Sequence, residues 1–196
     1  MKTIKSKLIA FSAVLGLVVL ATGCAKEDIS NPTVSMLDMQ SRNGAPAPSN
    51  QPIAQIAIDA GFTELVSALV YVDDSLNAGL VNMFMNGTDQ YTVFAPTNTA
   101  FQNLYTALGI TAITDLPPTL VRDVLLYHVV DGRRAANSVV PKTGTRDIST
   151  LLGVNFSVNT QGQITAVGNT ANITAANISA SNGIIHVIDA VILPIQ

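Results

Sequence analysis

Two histidines, one cysteine and one run of cations are the side chains from which this sequence could build chemistry. His128, His186 and Asp189 have the types of metal ligands. A period-two strand over Ile184–Leu193, however, puts residues three apart on opposite faces, so His186 and Asp189 cannot converge on one ion without a bulge. No metal is expected. His128 falls on the apolar stripe of a helix near its C-terminus, which suits a partly buried, hydrogen-bonded imidazole. There is no G-x-S-x-G elbow, no H-E-x-x-H pair and no glycine-rich phosphate loop, so the chain reads as a non-enzyme without a cofactor. Arg133, Arg134, Lys142 and Arg146 crowd the segment Asp131–Asp147. Such a patch could steer an anionic partner, for example an acidic polysaccharide, with an attraction that salt weakens; the plainer reading is a solvated loop.

Cys24 is the sole thiol, which rules out an intramolecular disulfide. Before it stand Lys2, Lys5 and Lys7, then an apolar run from Leu8 to Ala21 broken by Ser12 and Gly16, then Thr22 and Gly23. This is the pattern of a cleavable export signal. As a helix the run would span about 21 Å, short of the roughly 30 Å hydrocarbon core, so a permanent membrane span is the weaker reading. Leu20–Cys24 resembles the lipobox of bacterial lipoproteins, with cleavage between Gly23 and Cys24 and lipid on Cys24. It departs from that pattern in carrying Ala21 where leucine is usual. Residues 24–52 then read as a flexible tether of Asn, Ser, Pro, Gln and Gly, about 30 Å long on coil statistics. The acidic pair Glu27–Asp28 resembles surface-export signals of some Gram-negative lipoproteins, and a solvated charge cluster explains it equally well.

The elements that must position these residues begin near Ile53. Ile53, Ile56, Ala57 and Ala60 share a helical face ended by Gly61, and Thr63 offers a cap to a second helix carrying Leu65, Leu69 and Val72. A third helical piece over Leu76–Phe84 leads to the turn Asn86–Gly87. Tyr91–Phe94 is aromatic and β-branched, Pro96 should stop ladder pairing, and Thr97 or Asn98 can cap the helix whose stripe is Phe101, Leu104, Tyr105 and Leu108. Pro118 or Thr119 starts the helix that carries His128. From Gly153 the period becomes two, with turns at Gln161–Gly162, Gly168–Asn169 and Asn182–Gly183. Helices first and antiparallel strands after make an α+β domain.

Composition narrows the function. Apolar residues make up 48% and charged residues 12% of the 196-residue chain, about half the usual charged share, which suits an exported protein. With the three leader lysines set aside, seven basic residues face thirteen acidic ones, and the only adjacent cations are Arg133–Arg134. Nucleic acid is therefore not an expected partner. The Asn-x-Ser/Thr triplets at Asn86, Asn155, Asn172 and Asn177 would be glycosylation acceptors in a eukaryotic secreted protein, and here read as polar turn and strand residues. Asp74-Ser75-Leu76 is a weak bacterial O-glycosylation pattern.

Three boxes together resemble the fasciclin domain: Thr92–Thr97 with Ala100–Phe101; Leu125–Val130; and Asn182–Asp189 with Val191, Leu193 and Pro194. Thr150–Gly153 adds a fourth match, and the resemblance covers residues 53–196. It departs in Asn98, where aspartate is usual, in Asp131, where a proline commonly precedes the glycine, and in a longer helical region before Tyr91. The resemblance implies an antiparallel β-wedge or sandwich packed with several helices. It also implies a role in adhesion, in which the pair matching Tyr127–His128 is implicated. The expectation is a non-enzymatic adhesion or binding module, held at the cell envelope as an outer-membrane lipoprotein and displayed on its tether to a surface protein or polysaccharide. The runner-up is a periplasmic-facing structural or partner-binding lipoprotein, with an enzyme of unrecognised type a distant third.

Overall fold

The computed structural model describes residues 46–195. The residues read as an export signal, Gly23, Cys24 and most of the segment read as a tether lie outside the described residues. Three helices come first: α1 (Ile53–Asp59), α2 (Thr63–Leu76) and α3 (Leu80–Asn86). The strand β1 (Tyr91–Pro96) turns into α4 (Asn98–Leu108), and a 3-10 turn at Ile113–Asp115 leads to α5 (Pro118–Tyr127). Then follow β2 (Val129–Asp131), a short α6 (Ala136–Val139), β3 (Thr145–Ser149), β4 (Asn155–Asn159), β5 (Gln163–Thr165), β6 (Thr170–Ala180) and β7 (Gly183–Ile188). Among the described residues no helix is long and apolar enough to cross a membrane.

The seven strands join in the order β2-β1-β7-β6-β5-β4-β3. All neighbours are antiparallel except β1 and β7, which pair in parallel from Tyr91↔Gly183 to Pro96↔Ile188. The architecture is α+β, as expected, but the parallel pair β1–β7 joins the first and third sequence boxes and was not visible in hydrophobic periodicity. It also corrects the reading of Pro96, which completes the ladder with β7 instead of stopping it. The missing N–H faces the β2 side, where pairing has already ended at Val93↔Val129. At the other end of the pair, a Cβ on Gly183 would lie 2.1 Å from the Tyr91 carbonyl oxygen, so only glycine lets the two backbones meet.

Because β1 is covered on both faces, its side chains divide between two cores. Val93 and Ala95 join Ile185, Val187 and Val129 under the helices, packed on Leu65, Leu69, Phe101 and Leu125. Phe94 turns to the other side, with Val130, Ile188, Ile148, Phe156, Val158 and Ile164. Its ring meets Phe156 edge-on at 5.1 Å, and Phe156 meets Tyr127 likewise at 5.9 Å. The strand β6 serves both halves, pairing with β5 through Thr170–Asn172 and with β7 through Ile173–Ala180.

Of three capping expectations, one holds and two change. Thr97 caps α4, accepting from the Ala100 amide at 3.2 Å. Asn98 instead serves the start of α2: its oxygen accepts from the Glu64 amide at 3.2 Å, and its amide donates to the Gly61 carbonyl at 2.9 Å. Thr63 is the first residue of α2 and not its cap. Strands β2 and β3 and helix α6 had no signal strong enough to be named. The tether also ends earlier than its composition suggests. Pro46 accepts from Arg133 at 2.9 Å, Ala47 from the Ser179 hydroxyl, and Gln51 from the Ser181 amide at 2.8 Å, so the chain is tied to the sheet before Ile53.

Candidate functional site

Tyr127 and His128 end α5 inside the protein. The Tyr127 hydroxyl donates to the Asn155 carbonyl at 3.0 Å and its ring is fully buried. His128 is 2% exposed. Its Nδ1 lies 2.7 Å from the Val124 carbonyl and its Nε2 accepts from the Ile192 amide at 3.0 Å. A carbonyl can only accept and an amide can only donate, so the proton sits on Nδ1. Burial pushes the imidazole down to about 4, against a smaller upward pull from the Val124 carbonyl. Neither side chain reaches the surface; together they lock α5 to β4 and to the C-terminal segment.

His186 is the mirror case. Its Nε2–H donates to the Arg134 carbonyl at 2.9 Å and its Nδ1 accepts from the Asn177 amide at 3.3 Å, which fixes the opposite tautomer. Burial again pushes it down to about 4. Asp189 is engaged elsewhere, accepting from the Asn172 amide at 2.7 Å and from its side chain at 2.9 Å.

Of the four cations of the Asp131–Asp147 segment, the three arginines hydrogen-bond to oxygens of the protein. Arg133 is a half-buried strut: its guanidinium donates to the carbonyls of Pro46, Ala180 and Gly183 and to the Ser179 hydroxyl. Arg134 donates through Nε to the Asp131 carbonyl at 3.3 Å, and its main chain is held by Thr92 and His186. Arg146 reaches the carbonyls of Asn137 and Ser138 on α6. Lys142 is exposed and lines an open groove of about 420 Å³. The segment expected as one cationic loop folds into β2, α6 and β3, and each of its three arginines is engaged with main-chain or hydroxyl oxygens, which leaves Lys142 as the cation on the groove wall.

The groove is built on an irregularity in β6. Register with β7 shifts twice between Ile173 and Ile178, and Asn177 takes a left-handed φ of 66°. The His186 ring holds the amide of Asn177, and the Asn177 side-chain oxygen accepts from the Ala136 amide at 2.8 Å, capping α6. Buried His186 thus sets the bulge, the bulge seats α6, and α6 with the β4–β5 turn makes the walls. Thr160 and Gln161 come from that turn, which Asn159 rigidifies by accepting from the amides of Gln161 and Gln163. The lining combines amides (Asn137, Gln161), a hydroxyl (Thr160), one ammonium (Lys142) and apolar surface from Val140, Pro141 and Ile173. That mixture can hydrogen-bond a polyhydroxylated chain and neutralise one anion on it. Sequence reasoning found Lys142 but missed Asn137, Thr160 and Gln161, because they meet only through the bulge; the Asn177 that interrupts the apolar run of β6 was the faint signal.

The family profile described as "Fasciclin domain" matches residues 60–194. The chain is 35% identical to Immunogenic protein MPB70 of Mycobacterium bovis, over 88% of this chain and 80% of that one. It is 30% identical to Protein sll1483 of Synechocystis over 99% of both, and 29% identical to Cell surface glycolipoprotein MPB83 of Mycobacterium bovis over 89% of this chain and 72% of that one. Among solved structures, the FAS1 domain pair of the insect cell adhesion molecule Fasciclin I matches with a TM-score of 0.49 and 20% identity, over 67% of this chain and 45% of that one.

Proposed function

The chain belongs to the fasciclin domain family, and from that premise we propose that it is a non-enzymatic binding module held at the cell envelope, with the Lys142 groove as its contact surface. The observation that carries this reading is the groove itself. It is open, lined by both polar and apolar side chains and built on a bulge anchored by a buried histidine, while the two histidines that could have served catalysis are neutral and bonded on both nitrogens. An acidic polysaccharide suits it: hydroxyls meet Asn137, Thr160 and Gln161, and a carboxylate meets Lys142. Relatives named as cell-surface and immunogenic proteins support an envelope location. Attachment through lipid on Cys24, after removal of residues 1–23, is part of the same proposal.

Immobilised acidic polysaccharide provides the test. The single cation in the groove predicts that Lys142→Glu weakens binding at least threefold at low salt, a difference that shrinks at about 150 mM salt, where the screening length is about 8 Å. Asn137→Ala should weaken binding at both salt levels. Binding that survives both substitutions with the fold intact would put the contact elsewhere.

A further inference from the structure

On the helical side of the sheet, away from the groove, a second cavity of about 140 Å³ opens between α2, α4, α5 and the C-terminal segment. Its walls are aliphatic and aromatic, with Ala68, Phe101 and Val121 at depth. The one polar side chain on the wall, His128, has both nitrogens occupied by Val124 and Ile192, so it offers an occupant nothing. At the mouth stand Leu108 and Ile195, 51% and 52% exposed, which are among the most exposed large apolar side chains described.

We propose that this cavity binds the end of a single linear hydrocarbon chain, with the polar head of the ligand outside in water. An apolar cavity of about 150 Å³ stays dry and takes up a molecule of benzene size, so this one has room for about six carbons. Two features select a chain over a compact ring. The cavity is open on one side, and its rim is apolar, so the part of the ligand at the mouth is still hydrocarbon and the head lies beyond Leu108 and Ile195. With no charge or free hydrogen-bonding group on the wall, recognition follows chain length and ignores the head. Each methylene added until the cavity is full should tighten binding roughly three- to fourfold.

Calorimetric titration of the full chain with hexanoate, octanoate and octyl glucoside, each below its micelle concentration, tests this. Octanoate and octyl glucoside should bind within about twofold of each other, and hexanoate, one methylene short of filling the cavity, roughly three- to fourfold more weakly. Ala68→Leu, which fills the cavity, should abolish binding. Leu108→Asp, at an exposed rim position that leaves packing intact, should weaken it at least fivefold. The proposal is overturned if neither octyl probe binds saturably, if affinity follows the head group, if both variants bind as the parent does, or if cyclohexanol binds more tightly than octyl glucoside. None of these outcomes bears on the Lys142 groove, which lies on other elements.

Discussion

A histidine bonded on both nitrogens inside a core is a stability element with a built-in pH response. His128 and His186 each stand at about 4, lowered from an ordinary value near 6.5 chiefly by burial. At about pH 7.5 and above, both are essentially neutral folded or unfolded and contribute almost no pH dependence. As pH falls toward 4 the unfolded chain takes up protons that the folded chain refuses, so stability is lost at about 1.4 kcal/mol per unit per histidine, on the order of 3 kcal/mol each across the window. Urea midpoints between about pH 7.5 and 4.5 should therefore fall steadily, and His128→Gln should show a shallower fall. His128→Ala should also cost about 2 to 4 kcal/mol at neutral pH, since it leaves a cavity and strands the Ile192 amide. A midpoint unchanged by that substitution would mean the imidazole does not hold the C-terminal segment. Tyr127, beside it, owes its raised value mainly to burial as well, against a smaller downward pull from the Val167 backbone.

Among the elements, β6 has the most to reconcile, because one strand must pair with β5 at one end and β7 at the other while seating α6. The device is Asn177, where the left-handed φ and the cap to Ala136 occur in one residue. Asparagine tolerates that conformation better than most side chains, and glycine better still. Asn177→Ala should thus lose both the cap and the favourable φ, costing about 2 kcal/mol, whereas Asn177→Gly should lose the cap alone and cost about 1 kcal/mol. Thermal unfolding checks the order. If alanine is as well tolerated as glycine, the bulge is not held by this residue and the groove has another foundation. The helical half shows the same economy of means: Asp73 accepts from the amides of both Leu80 and Val81 at 2.8 Å, closing α2 onto α3, and Asn182 ties Ile53 of α1 to Phe84 of α3.

For the molecule as a whole, the described residues carry their stability in two cores that share β1 and β7, and not in ion pairs: the one salt bridge among them, Arg122–Asp123, is partly exposed and worth little. The two proposed surfaces lie on opposite sides of this sheet, a polar groove beside α6 and an apolar cavity beneath α4 and α5. Metabolic labelling with a fatty-acid analogue should mark the natural chain and not Cys24→Ser. A mature protein that begins at another residue with an unmodified thiol would remove the anchor from the proposal.

What the sequence by itself determined was everything set by short-range pattern. The helix stripes, the turns at Gly162, Asn169 and Asn182–Gly183, the corner after β1 and the boxes of the family all depend on residues within a few positions of one another, where periodicity and φ preference act directly. Tertiary structure decided which distant groups satisfy each other. Asn98 had a capping oxygen, but only the packing of α4 against α2 assigns it to Glu64. Arg133 was legible as charge, yet four oxygens from three remote segments turn it into a strut. The parallel pairing of β1 with β7 joins stretches about ninety residues apart, and Pro96 is tolerated there because β2 is too short to need its N–H. The groove and the cavity follow the same rule: each is bounded by elements from separate parts of the chain, and no local spacing records that they meet.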